Sequence, residues 1–165
     1  MNEEAANPSG KSKRKRMRKI THIVIHCTAT VSGREFSTKD IDLWHKKRGW
    51  KGIGYHYVIK LDGTIEQGRP EYKIGAHVKG HNRNSIGIVY VGGLNKRLSP
   101  KDTRNRKQKR ALKSLLLNLK EKYPQAEILG HRDFSRDINK NGIIEPFEFI
   151  KACPCFDAQK EYCDL

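Results

Sequence analysis

A chain of 165 residues is long enough for one domain whose core needs no staples, and no apolar run reaches the ~18 residues that suggest a membrane span. The net charge of +16, from 34 Lys+Arg against 18 Asp+Glu, predicts a polyanionic partner, either nucleic acid or bacterial wall with its carboxylates and anionic polymers, unless the charge serves solubility alone. Four cysteines (Cys27, Cys153, Cys155 and Cys163) permit disulfides, but residues 20–26 are too short and polar for a signal core, so free thiols or a metal ligand in a reducing cytosol are expected.

Residues 1–19 read as a disordered basic tail. They hold seven Lys/Arg in nine positions, and Met17 is their one large apolar residue beyond the initiating end. A folded domain is expected over 20–165. Ile23, Val24 and Ile25 read as a buried strand ending at His26. Ser37 and Thr38 look like a helix start; Ile41, Trp44, His45 and Arg48 share one helical face, and Gly49 is the stop. Residues 55–60 read as a strand, Asp62 and Gly63 as a hairpin turn, and 64–67 as the returning strand. Another apolar strand covers 85–91, closed by Gly92 and Gly93. A helix follows, with Ser99 as cap, Pro100 at its first position and Asp102 in its first turn. Its apolar stripe is Ala111, Leu112, Leu115, Leu116 and Leu119, and Pro124 lies just past its end. Ile128 and Leu129 form a last short strand leading into His131, and 156–163 form a closing helix. This order predicts an α/β fold: a single domain with a central mixed β-sheet flanked by helices.

Three residues form a candidate metal set. His26 follows a buried strand, and strand ends present ligands from a rigid base. His131 follows a second apolar strand, and Cys153 lies in Lys151-Ala152-Cys153-Pro154. Two imidazoles and one thiolate make a catalytic zinc set with its fourth position open. Spacing alone does not assemble them, and each His taken singly reads equally as structural or surface. Cys27 should point away from His26, because successive strand residues face opposite sides. An extended Cys153-Pro154-Cys155 would put both thiols on one side, so Cys155 is a rival ligand. His22, His45, His56 and His81 read as structural or surface residues.

Several segments carry a family likeness. They are Val24-Ile25-His26-Cys27-Thr28-Ala29-Thr30; Trp44-His45-Lys46 with Gly49-Trp50; Gly54-Tyr55-His56-Tyr57-Val58-Ile59; and Asp62-Gly63-Thr64. Gly75-Ala76-His77-Val78-Lys79-Gly80, Asn82, Ser85-Ile86-Gly87-Ile88 and Lys151-Ala152-Cys153-Pro154 complete them. In this order they resemble the N-acetylmuramoyl-L-alanine amidase family, which includes small phage lysozymes of the amidase type and whose domain recurs in peptidoglycan recognition proteins. The resemblance implies zinc ligands His26, His131 and Cys153, a catalytic pair Tyr55 and Lys151, and a substrate-binding His77. It selects Cys153 over Cys155. Without it, Tyr55 would read as an inward strand aromatic and Lys151 as one of 34 basic residues.

The implied activity is zinc-dependent hydrolysis of the amide between N-acetylmuramic acid and L-alanine in peptidoglycan, as in phage endolysins. A lysine ammonium and a tyrosine hydroxyl can both donate to the developing oxyanion. The implied partner is peptidoglycan, with anionic wall polymers met by the tail, and nucleic acid recedes. The chain is expected to be made in the cytoplasm without a signal peptide and to reach the wall after release or holin-type export. Two rival readings remain: a non-catalytic wall-binding module, which would typically lack the zinc cysteine, and a nucleic-acid-binding or polymerase-regulating protein.

Between His131 and Cys153 the chain is longer than the small phage enzymes. Asp137, Asn139, Asn141 and Glu148 fit positions 1, 3, 5 and 12 of an EF-hand loop, with Gly142 at position 6. This stretch is read either as a weak Ca2+ site or as an Asx-rich turn carrying no ion.

Overall fold

The structure is a computed structural model that describes residues 17–165. Its centre is a five-stranded sheet of β1 (His22–Cys27), β3 (Tyr57–Ile59), β4 (Ile65–Gln67), β5 (Ser85–Tyr90) and β7 (Glu127–Gly130), in the order β4-β3-β5-β1-β7. β1 pairs in parallel with β5 and β7, β3 pairs in parallel with β5, and β4 returns antiparallel to β3. The sheet is mixed, as expected. Two short strands, β2 (Thr30–Val31) and β6 (Gly93–Leu94), pair separately beyond the ends of β1 and β5.

Strand alternation divides the core into two layers. Ile23, Ile25 and Cys27 of β1 and Ile86, Ile88 and Tyr90 of β5 face one way. They pack under α2 (Arg106–Lys122) and α3 (Ala158–Glu161), where Leu112 and Leu116 are fully enclosed. Burying each such leucine contributes roughly 1.5–3 kcal/mol. His26 faces the other way, in register with Val89. On that side Val58, Val89 and Val91 pack with Ile41 of α1 (Thr38–Lys47), and Trp44 lies against them. α1 starts where expected: Ser37 caps it, its Oγ accepting from Asp40 N, while the Asp40 carboxylate accepts from Ser37 N.

α2 starts later than the sequence predicts. Pro100 is not its first residue but bridges Leu94, and Lys101 N donates to Gly93 O. The Asp102 carboxylate is taken by Arg104, which binds it through Nε and Nη2, both at 2.9 Å. The helix begins instead at a reciprocal cap, where Asn105 Oδ1 accepts from Gln108 N and Gln108 Oε1 accepts from Asn105 N. This cap also ties α2 to the sheet, since Gln108 Nε2 donates to Val91 O. The Arg104 guanidinium also binds Glu161 and lies 3.2 Å from the Phe156 ring centroid, which fastens α3 to the body.

Of the residues expected to form the tail, 1–16 lie outside the described residues. Arg18 is engaged with the domain. Its Nε and Nη2 donate to Glu71 O at 2.8 and 2.7 Å, and its Nη1 donates to Asn82 O, Arg83 O and Ser85 O at 3.0–3.1 Å. No helix among the described residues is long and apolar enough to cross a membrane.

Candidate active site

His26, His131 and Cys153 come together at the ends of the two parallel strands β1 and β7. Each offers a ligand atom, and these atoms all lie within 4.8 Å of one another. Among the described residues this is the group of His, Cys, Asp and Glu side chains that could hold a metal ion. His26 is the penultimate residue of β1 and is 1% exposed. Its Nδ1 lies 3.9 Å from Cys153 Sγ. His131 opens a short 3-10 turn directly after β7, and Gly130 N in that turn donates to the Asp133 carboxylate.

The third residue arrives from the far end of the chain and is held by backbone. Arg132 N donates to Cys153 O at 2.9 Å, so the His131 and Cys153 segments are stitched together. Cys27 N donates to Cys153 Sγ at 3.2 Å, which fixes where the sulfur points. The buried Tyr90 hydroxyl donates to Pro154 O. The chain then turns, with Cys155 N donating to Ala152 O and Cys155 at φ 71°. The 153–155 segment is therefore not extended. Cys155 Sγ points to Gly93 O and lies 3.8 Å from Cys27 Sγ, outside the group around His26. Cys27 sits on the opposite core face from His26, as strand alternation predicts.

The electrostatics suit a metal. Burial pushes the His26 pKa well below the usual imidazole value, and the neighbouring His77, His131 and Lys151 add to the shift. Burial lowers His131 as well, with Lys151 assisting. Both rings are thus neutral at pH 7 and carry a free lone pair. Two imidazole nitrogens and one cysteine sulfur are a zinc donor set. The residues present fit that ion.

The remaining expected residues surround this group. Tyr55 is half-buried, its ring centroid 5.1 Å from that of His26, and burial raises its pKa, so the hydroxyl stays protonated. Lys151 is exposed and lines a cleft of about 510 Å³ with Trp50, His77, Lys79, His131 and Phe134. His77 is 9% exposed and lies against His26, their nearest ring nitrogens 2.8 Å apart. His45 is structural: its Nδ1 accepts from Gly54 N inside the molecule. Sequence reasoning assigned no role to Ser85 or Arg18. Ser85 is a fully buried strand residue whose Oγ lies 3.1 Å from His77 Nε2. It opens the family-like run Ser85-Ile86-Gly87-Ile88, which does not single out its hydroxyl.

Asp137, Asn139, Asn141 and Glu148 fall in one loop. Glu148 is buried, and its carboxylate accepts from Ile138 N, Asn139 N and Glu145 N. Asp137 accepts from Asn141 N and Gly142 N. Lys140 and Gly142 both adopt positive φ, so the loop winds tightly about the Asp137 carboxylate.

A mixed sheet with two imidazoles and a thiol gathered at its strand ends defines an α/β domain of the amidase and peptidoglycan-recognition type. The profile of the N-acetylmuramoyl-L-alanine amidase family matches residues 16–143, and the chain belongs to that family of enzymes. The match holds His26, Tyr55, His77 and His131; Lys151 and Cys153 lie beyond it. The chain is 37% identical over 140 residues to an endolysin of Klebsiella phage KP32, covering 85% of this chain and 83% of that protein. The solved N-acetylmuramoyl-L-alanine amidase LysC from Clostridium intestinale superposes with a TM-score of 0.62 at 35% identity, covering 79% of this chain and 82% of LysC. Drosophila PGRP-LB superposes with a TM-score of 0.67 at 25% identity, covering 90% and 82%.

Proposed function

We propose that this chain is a zinc-dependent endolysin-type amidase that hydrolyses the bond between N-acetylmuramic acid and L-alanine in bacterial peptidoglycan. The observation that carries the reading is the convergence of His26, His131 and Cys153 within 4.8 Å beside an open cleft. Those three residues would hold the ion, which when bound polarises an amide carbonyl and activates water. The protein supplies the rest. Tyr55, kept protonated by burial, is a donor toward the carbonyl oxygen as it gains charge. Lys151, on the cleft wall, is the second donor toward that oxygen. Trp50 and Phe134 give the cleft apolar surface for the substrate, and His77 lies at its inner end.

The net charge of +16 supports an anionic target, and wall polymers fit it through the basic residues 11–19. On this reading the protein is made in the cytoplasm and meets the wall after release or holin-type export. Calcium binding by Asp137, Asn139, Asn141 and Glu148 belongs to the same proposal, as a weak site that stiffens the loop between His131 and Cys153. The decisive experiment measures zinc in the purified protein and peptides released from purified peptidoglycan. One zinc per chain and new L-alanine amino termini are expected. Full hydrolysis by zinc-free protein would refute zinc dependence, and zinc-loaded protein that releases only sugar ends would refute the amidase.

A further inference from the structure

The imidazole of His26 has two nitrogens, and only one can face a metal. Nδ1 points toward Cys153 Sγ, 3.9 Å away. Nε2 points the other way, 2.8 Å from His77 Nδ1. A ligating Nδ1 carries no proton, so the neutral ring holds its proton on Nε2 and donates to His77 Nδ1. His77 must then carry its own proton on Nε2, which lies 3.1 Å from Ser85 Oγ. Ser85 is fully buried at the start of β5. One chain of hydrogen bonds therefore runs from an internal hydroxyl through two imidazoles to the metal side.

The slot holding His77 is built to one shape. A Cβ on Gly87 would meet the His77 ring at 2.6 Å, and a Cβ on Gly75 would meet it at 2.7 Å. Both glycines press directly on the imidazole, so any side chain there would displace it. The rings of His26 and His77 meet edge to face, with an interplanar angle of 89° and centroids 4.9 Å apart. The 75–77 backbone is pinned on either side: Ala76 N donates to Gly54 O, and His77 N donates to Asn82 Oδ1. A residue that served only to touch substrate would not need a buried hydroxyl behind it and two glycines packed close against its ring.

We propose that His77, held by Ser85, is a positioning residue for His26: it accepts the Nε2 proton, fixes the ring's tautomer and aims Nδ1 at the metal. This rests on the zinc reading above. It adds to that reading a role for His77 that exists before any substrate arrives. Partners that accept the second N–H of a metal-bound imidazole typically contribute 10–100-fold in metal affinity or activity.

The test is zinc affinity without substrate, by chelator competition on the full chain at one fixed pH, with melting temperature measured alongside. His77→Phe fills the slot but offers no acceptor, so zinc should bind about 10–100-fold more weakly. His77→Asn leaves space in the slot, yet its Oδ1 takes roughly the place of Nδ1. It should melt lower than His77→Phe while binding zinc within a few-fold of the parent. A purely structural residue would give the opposite order, with affinity following melting temperature. A purely substrate-binding residue would raise KM and leave zinc affinity unchanged in both variants. Either outcome overturns the proposal. If the Phe ring does not fit and that variant fails to fold, Ser85→Ala removes the support and leaves His77 in place. It should weaken zinc binding several-fold, and an unchanged affinity would overturn the proposal equally. A parent protein that binds no zinc refutes the metal site itself, a result distinct from all of these.

Discussion

Arg18→Ala should destabilise the domain more than an ordinary surface substitution. The side chain makes five donor contacts to four backbone carbonyls on the 71–85 segment, those of Glu71, Asn82, Arg83 and Ser85. A hydrogen bond from a charged donor contributes roughly 1.5–3 kcal/mol where it is buried. Here the Arg83 contact is exposed and the others are partly buried, so water can replace much of what is lost. The expected cost is about 2–3 kcal/mol, near the upper end for a residue that is not in the core. Urea unfolding would measure it as a fall in midpoint at constant slope. Arg18→Lys should recover only part, because an ammonium cannot span several carbonyls as a planar fork does. Truncation before residue 17 should leave the midpoint unchanged, and truncation through Lys19 should reproduce the loss. An Arg18→Ala variant within ~0.5 kcal/mol of the parent would refute the reasoning, since that is the scatter of neutral surface changes.

Cys153→Ser should abolish activity and sharply reduce bound zinc, whereas Cys155→Ser should retain most of both; metal analysis and turnover would show a misassigned thiol if the outcomes reverse. Tyr55→Phe and Lys151→Ala should keep zinc but lose roughly 10²–10³ in kcat, as removal of an oxyanion donor does elsewhere; near-parental turnover in both removes that role. Stability should fall in acid through His56, whose pKa burial pushes down to about 4 while its Nδ1 accepts from Gly87 N. The unfolded chain takes up that proton near pH 6.5, so the contribution is complete above 6.5 and is lost as pH falls toward 4, about 3 kcal/mol in all; His56→Gln should flatten that limb of the stability curve. Millimolar calcium should raise the melting temperature of the zinc-loaded protein, and Glu148→Gln should cancel the rise while zinc stays bound; no calorimetric heat at that concentration removes the calcium site.

What the sequence revealed followed from strong local signals. The run Ile23-Val24-Ile25, the Ser37 cap and the apolar strand ending in two glycines all reappear with nearly the expected bounds. The start of α2 was hidden because Ser99 and Pro100 make the more familiar signal, and Asn105 with Gln108 wins only through Leu61 O and Val91 O, which are distant in sequence. The two-residue pair of β2 and β6 is held by backbone bonds and leaves no side-chain pattern. The three candidate ligands could be named from motif likeness but not from spacing, since His26 and Cys153 are 127 positions apart. Cys155 rivals Cys153 only in an extended segment; the turn closed by Cys155 N and Ala152 O sends its thiol elsewhere. His77 was named for the site, but its contact with Ser85 could emerge only in three dimensions.

The strand order also bears on how the chain acquires its shape. His22 of β1 lies opposite Ser85 on one side and Glu127 on the other, so β1 has no neighbour close in sequence. Such pairings close large loops before any contact rewards them, which slows folding. Helices and the β3–β4 hairpin can form early, whereas β1 must wait for two remote partners. Both imidazoles and the thiol sit at the ends of those late-forming strands or on segments bound to them. Metal capture should therefore trail collapse during refolding, and the rate at which a chelating dye loses zinc to the chain would time the final docking of β7 against β1.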